Sequence, residues 1–283
     1  MAQLVGIGHL TMLDIAPPDW VMLAHEAGFD AVGIRAAVAG PGEEPWPMAV
    51  GSPMLAETMR RLDDTGVRVL DVEIVRLTPE TVVSGYRPLF ETGAQLGAKV
   101  VNVIAADPDL RRVRDNFAAL AEEAHLYDLR PVIEPMVYMQ VHNLDDAVAV
   151  AQGTGGGIII DPLHLRRFGA TPADVSRVDP SLLAYYQLCD APLDPPSGLP
   201  RPARMPRGQS VAGSDLQLEA RTRRLLPGEG GLPLADLVAV MPPGLPVSIE
   251  APNLEATERL GPLEYARRAR RSLDPYLAAR EPA

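Results

Sequence analysis

The chain has 283 residues, 47% of them hydrophobic and 22% charged, the proportions of a globular protein with a substantial core. A formal net charge of −11 opposes a nucleic-acid backbone, and no apolar run approaches the roughly 18 residues of a membrane span, so neither partner is expected. Cys189 stands alone, which excludes an internal disulfide and a Cys-rich zinc site. With no signal-like N-terminus, a cytoplasmic location is expected.

In chain order, LVGIG (4–8) reads as a short buried strand and PPDWVMLAHEAGF (17–29) as a helix opened by proline and closed by Gly28. Strand 30–35 follows, then helix 54–66 and strand 67–75. Segment 79–97 is a helix with a terminal glycine, and 98–105 the next strand. Helix 110–129 leads to RPVIEP (130–135). Asn143 is placed to cap a helix before GGIIID (156–161). TPADVSRV (171–178), LLAYYQLCD (182–190), LPLADLVAVMP (232–242), LPVSIEAP (245–252) and a helix over 261–280 complete the series.

Eight strand candidates, each followed by a helical one, demand a parallel sheet with right-handed crossovers. The expected fold is α/β, a single (β/α)8 TIM barrel spanning residues 1–283. The rival open sheet lacks a dinucleotide fingerprint, since GIGHLTML offers Gly6 and Gly8 with no third glycine. The longest irregular stretch begins at residue 191, and a long loop at about 191–230 after strand seven is expected over the catalytic face.

Three strands end alike, in VIEPMVY (132–138), IIIDPLH (158–164) and VSIEAPN (247–253). In a barrel the C-terminal strand ends point at one mouth, so Glu134, Asp161 and Glu250 should converge. Three carboxylates in one cleft repel, and one divalent cation resolves that repulsion, Mn²⁺ or Mg²⁺ by preference for oxygen and Co²⁺ or Zn²⁺ as alternatives. Strand seven supplies Gln187 at comparable depth, with Cys189 and Tyr185 on the same side and an exposed Asp190 as the competing ligand. The plain alternative is that each carboxylate caps the following helix. His164 leaves strand six by one turn and is assigned to substrate binding or proton handling. His9 and Glu73 end strands one and three at suitable depth, whereas His25, His125 and His142 read as structural. Arg35, Arg76, Arg201, Arg204, Arg207 and Arg224 are the guanidinium groups placed to hold a substrate anion, Arg224 standing just before the tight turn Pro227–Gly228–Glu229–Gly230.

With these motifs assembled, the chain resembles the xylose isomerase-like TIM barrels, the group of sugar-phosphate isomerases and epimerases that also includes endonuclease IV. The resemblance rests on AHEAGFDAVGIR, ETGAQLGAKVVNV, VIEP, IIIDPLH, YYQLCDAP, LPGEG and VSIEAPN in that order. It implies a metal held by Glu134, Asp161, Gln187 and Glu250. Many members carry histidine on strand seven, and glutamine stands there in some relatives, among them dehydroshikimate dehydratases.

The chemistry it implies is isomerisation or epimerisation of a small sugar or keto-polyol through a metal-stabilised enediolate. Glu134 and Glu250 would shuttle the proton, His164 would orient substrate oxygens, and His9, Arg35, Glu73, Arg207 and Arg224 would line the substrate. A lyase of the dehydroshikimate or inosose dehydratase type is the second reading and a noncatalytic sugar-binding barrel the third. The trinuclear, histidine-rich zinc cluster of endonuclease IV is not matched by five scattered histidines. A homodimer is left open.

Overall fold

The computed structural model describes residues 3–278. Strands β1 (Val5–Ile7), β2 (Ala31–Arg35), β3 (Arg68–Leu77), β4 (Val100–Ala105), β5 (Arg130–Ile133), β6 (Gly157–Ile160), β7 (Leu183–Leu188) and β8 (Val247–Ile249) follow one another round a closed barrel. Every neighbouring pair is parallel, and β8 closes on β1 through Val247 opposite Val5 and Ile249 opposite Ile7. Around it lie α1 (Pro17–Ala27), α2 (Pro53–Thr65), α3 (Arg87–Gln95), α4 (Leu110–His125), α5 (Leu144–Ala151), α6 (Pro162–Arg167), α7 (Pro172–Val175), α8 (Asp215–Thr222), α9 (Leu234–Val240), α10 (Leu254–Leu260), α11 (Pro262–Ser272) and α12 (Asp274–Ala278). This is the expected (β/α)8 barrel. No helix among the described residues is long and apolar enough to cross a membrane.

Local chemistry sets the helix ends. Ser52 accepts a hydrogen bond from the Leu55 N–H to open α2, Pro53 sits in its first turn, and Gly66 at φ 72° closes it. Asn143 caps α5 through the Asp146 N–H, as its sequence position predicts.

Three expectations shift. The helix expected from residue 79 begins at Arg87, after a 3₁₀ turn over Val83–Tyr86. The stretch expected as loop at 191–230 contains α8, whose sequence DLQLEART shows little apolar periodicity but whose Ser214 and Gln217 form a reciprocal cap. The helix expected over 261–280 is interrupted at Leu273 into α11 and α12, and its residues 279 and 280 lie outside the described residues.

Strand alternation then builds the interior in layers. Ala31, Leu70, Val100, Val132, Ile159 and Tyr185 pack together inside the barrel. Two residues further along their strands stand Glu134, Asp161, Gln187 and, beside β8, Glu250. The outer face of the strands packs against the helices through residues such as Trp20, Val21, Phe90, Phe117, Tyr186 and Ile249, all fully buried. The apolar layers fix the strands, and the strands fix where the carboxylates emerge.

Candidate active site

Glu134 follows β5 directly, its N–H still bonded to the Val103 carbonyl, so its side chain leaves from the last rung of the barrel. Asp161 follows β6 directly and also caps α6, its Oδ1 accepting from the His164 N–H at 3.0 Å. That one turn carries the His164 ring back over the mouth, where Nε2 lies 3.5 Å from Glu134 Oε1. Ligand atoms of Glu134, Asp161 and His164 all lie within 4.8 Å of one another. The helix-capping alternative therefore holds for Asp161 only in part, and Glu134 and Glu250 cap no helix.

Gln187 and Glu134 share a second property. The Oε1 atom of each is buried and has no hydrogen-bond partner. Buried acceptors are paired in the great majority of cases, so two orphans at one mouth mark a place where a cation or substrate donor belongs. The donors are carboxylate, amide and imidazole, a set that suits a divalent ion.

Arg224 occupies the centre of the cluster. It is almost fully buried, with Nη1 2.6 Å from Asp161 Oδ2 and 3.1 Å from the Glu250 carbonyl oxygen. Its Nη2 lies 3.1 Å from Glu250 Oε2, and its Nε donates to the Ala220 carbonyl. Cys189 Sγ stands 3.8 Å from Nη1.

The cluster titrates accordingly. Burial alone would raise Asp161, but the Arg224 charge, with His164, holds its carboxyl below the usual range. Burial and the nearby Glu250 and Asp161 push Glu134 well up. Glu250 is pushed to about 7, burial outweighing the pull of Arg224. Burial lowers His164 to about 4, leaving it neutral at pH 7.

On the other side of the mouth Arg35 is also buried, bonded through Nε to Glu73 Oε2 at 2.8 Å, with Nη1 3.4 Å from Glu43 Oε1. Below it, Asn102 donates to Asp71 Oδ1 at 3.3 Å and pairs with the Tyr185 hydroxyl at 2.9 Å. A cavity of about 370 Å³ joins these groups, lined among others by Arg35, Glu73, Asn102, Glu134, His164, Arg224 and Glu250. Its roof comes from the segments after β2 and β7, including Pro41 and Gln209.

The expected ligands Asp161 and Gln187 are buried but do not line this cavity, and four expected substrate residues, His9, Arg201, Arg204 and Arg207, are not brought into it. His9 is fully buried, its Nδ1 accepting from the Arg35 N–H and its Nε2 donating to the Ile15 carbonyl, with the ring stacked on Trp20 at 5.4 Å. Both nitrogens are committed, so it shapes the β1 and β2 ends without touching substrate space. Arg207 lies on the outer loop with its guanidinium 3.7 Å over the Trp46 ring and bonds to the Glu44 and Pro45 carbonyls. Arg204 and Arg201 pair with Asp14 and Asp215 instead.

Asp190, expected exposed, is buried on the opposite side of β7, where it accepts N–H groups of Ala191, Gly228 and Leu232. It braces the turn behind Arg224. Sequence reasoning missed Asp71, Tyr138 and Arg221. Asp71 shares the face of Glu73 two residues on, a signal available in DVE. Tyr138 meets His164 edge-on at 5.7 Å, and Arg221 lies on the helix hidden in the expected loop.

The xylose isomerase-like TIM barrel family matches residues 21–276. The chain belongs to this family. Among solved structures, the barrel superposes on a xylose isomerase-like TIM barrel/4-hydroxyphenylpyruvate dioxygenase fusion protein with a TM-score of 0.73 and 17% identity. That match covers 96% of this chain and spans 42% of the fusion. A crystal structure of IOLI protein with a bound zinc atom matches at TM-score 0.73 and 15% identity, covering 99% of both chains. D-Psicose 3-epimerase with D-tagatose from Clostridium cellulolyticum H10 matches at TM-score 0.69 and 12% identity over 98% of this chain and 99% of that one. At these identities the likeness is one of fold, with the family placement coming from the match over residues 21–276. No curated protein sequence matches the chain.

Proposed function

We propose that the chain is a divalent-metal-dependent isomerase or epimerase acting on a small hydroxyketone, a sugar or related keto-polyol. The observation that carries this reading is the pair of orphaned buried acceptors, Glu134 Oε1 and Gln187 Oε1, with Glu134 lining the cavity together with Glu250 and lying within metal-ligand reach of Asp161. Family membership supports it, as do neighbours named for zinc binding and for 3-epimerisation. Glu134, Asp161, Gln187 and Glu250 would hold the ion, Mn²⁺ or Mg²⁺ suiting the oxygen donors and Co²⁺ or Zn²⁺ being alternatives; when bound it polarises a carbonyl and its neighbouring hydroxyl and so acidifies the C–H between them.

The protein's own groups carry the rest. One of the two glutamates, Glu134 or Glu250, takes the C–H proton, and a carboxyl group returns it to the adjacent carbon or the opposite face. His164, neutral and 3.5 Å from Glu134, offers an N–H or a lone pair to a substrate oxygen. Arg224 keeps Asp161 ionised and fixes the Glu250 backbone and carboxylate in place. The roof over the cavity limits water at the reacting carbons.

Incubation with ketoses and Mn²⁺ in D₂O, read by mass spectrometry, should place solvent deuterium in recovered sugar. Glu134→Gln and Glu250→Gln should each lower turnover by about 10²-fold or more with the circular dichroism spectrum unchanged. Full activity in either variant removes the proposed role, and a protein that binds no divalent ion removes the reading. A lyase reading has one observation in its favour, the wall of Ile74, Ile104 and Met136, which gives hydroxyl groups no partner. A conjugated ultraviolet band that grows during incubation would select it.

A further inference from the structure

The catalytic cluster leans on a helix that the core hardly holds. Among the buried residues of α8, only Leu218 and Ala220 are apolar. Yet α8 carries the carbonyl that orients Arg224. The Ala220 oxygen accepts from Arg224 Nε at 2.7 Å, and the guanidinium then reaches Asp161 and Glu250. The Arg224 backbone is held from the other side, its N–H donating to the Pro252 carbonyl at 3.0 Å and its carbonyl accepting from Asn253 Nδ2 at 2.9 Å. With the backbone fixed, the direction of the guanidinium depends on where α8 lies.

One side chain of α8 sets that place. Glu219, beside Ala220, receives Arg167 of α6 in a fork of two bonds, Nε to Oε2 at 2.8 Å and Nη2 to Oε1 at 2.6 Å. The two side chains are only 3% and 5% exposed. Arg167 also donates through Nη1 to the Leu193 carbonyl at 3.3 Å and through Nη2 to the Pro192 carbonyl at 2.9 Å, which ties the start of the segment after β7 to the same guanidinium. The fixed partner is α6, in which Pro162, Leu163, His164 and Leu165 are all buried. It begins at the Asp161 cap and ends at Arg167. Asp161 therefore meets Arg224 by two routes, directly at 2.6 Å and through α6, the Arg167–Glu219 pair and α8.

A buried ion pair is a weak source of net stability, because removing both charges from water offsets most of their attraction. What a bidentate arginine–carboxylate pair supplies is one geometry. An apolar contact would dock α8 without fixing its register.

We propose that Arg167 and Glu219 are positioning residues of the catalytic site, locking α8 onto α6 and so holding the Arg224 guanidinium between Asp161 and Glu250. Neither lines the cavity, so they act through Arg224 and not on the substrate. The assignment rests on the reading of Arg224 as part of the catalytic cluster.

Cys189 reports on this geometry without metal or substrate. It is the one cysteine of the chain and is fully buried, with Sγ 3.8 Å from Arg224 Nη1 and 4.0 Å from Asp161 Oδ1. Arg224 lines the cavity and Cys189 does not, so release of the guanidinium opens a path to the thiol. The full chain and its Arg167→Lys and Glu219→Gln variants are treated with iodoacetamide in EDTA, and modification is followed by mass spectrometry. These two changes keep the volume and lose the fork, whereas Arg167→Ala would leave Glu219 buried and unpaired. Leu120→Ala, at a fully buried position on α4, is the control for general destabilisation, with stabilities matched by urea.

Both variants should be modified at least tenfold faster than the control at equal stability. With Mn²⁺ and a ketose, each should lower kcat for deuterium exchange about tenfold, and Leu120→Ala should leave kcat unchanged. Modification no faster than in the control in both variants overturns the assignment. An equal fall in kcat in Leu120→Ala also overturns it, since general destabilisation would then account for the loss. Absence of deuterium exchange in every protein removes the isomerase reading and leaves the thiol modification to decide the positioning.

Discussion

His9 shows how a residue at catalytic depth can serve the frame instead. Its Nδ1 accepts from Arg35 and its Nε2 donates to Ile15, which fixes one neutral tautomer, and burial lowers its pKa to about 3. The unfolded chain protonates this residue near pH 6.5. Between about pH 6.5 and pH 3 the unfolded state thus binds the extra proton, and stability falls as pH falls, by up to about 1.4 kcal/mol per pH unit for this group. His164, lowered to about 4, acts in the same direction over a narrower window. His9→Gln should flatten the dependence by about one proton, measured by urea unfolding at several pH values between 7 and 4; an unaltered slope would show that His9 is not the group responsible. A histidine at a strand end was visible in GIGHL, but Trp20 and Ile15, which claim its ring, come from the following turn and helix, so its role was not.

At the scale of elements, the strand-end pattern was legible because side-chain alternation is local. Val132 points inward, so Glu134 does too, and the same parity places Ile159 with Asp161 and Tyr185 with Gln187. Asp190 falls on the opposite parity and faces the outer layer, where it binds the turn between Leu226 and Leu232 that follows Arg224. The N–H groups of Gly228 and Leu232, with that of the adjacent Ala191, make it the clamp of that turn. Asp190→Ala leaves those donors without their acceptor and should cost about 3 kcal/mol in denaturant unfolding; wild-type stability would mean that the turn holds itself. Gly230 obeys the same packing, since a Cβ there would lie 2.4 Å from Asp190 Oδ1. The helix α8 escaped notice because its caps are polar and only Leu218 and Ala220 supply buried apolar contact.

For the whole molecule, the closed barrel sets opposing demands on one small volume. Glu43, Glu73, Glu134, Asp161 and Glu250 meet the two buried guanidinium groups of Arg35 and Arg224, Glu134 Oε1 and Gln187 Oε1 are left without partners, and a bound ion would relieve what the two arginines leave uncompensated. Mn²⁺ at about 100 times its dissociation constant should therefore stabilise the fold by about 2.7 kcal/mol, roughly 5–10 °C in Tm for a chain of this size. EDTA should reverse the shift, and Glu134→Gln should shrink it; identical melting with and without metal would contradict the proposed ligand set. The sequence by itself determined the eight-unit barrel, the inward parity of Glu134, Asp161, Gln187 and Glu250, and the capping of α5 by Asn143, because periodicity and capping depend on residues within a few positions of one another. Only the tertiary structure decided that Arg224 stands between Asp161 and Glu250, that His9 and Arg207 are turned to other work, and that Arg167 of α6 meets Glu219 of α8. Those outcomes depend on which distant strands and loops the closed barrel brings within a few ångströms, and no local pattern encodes such distances.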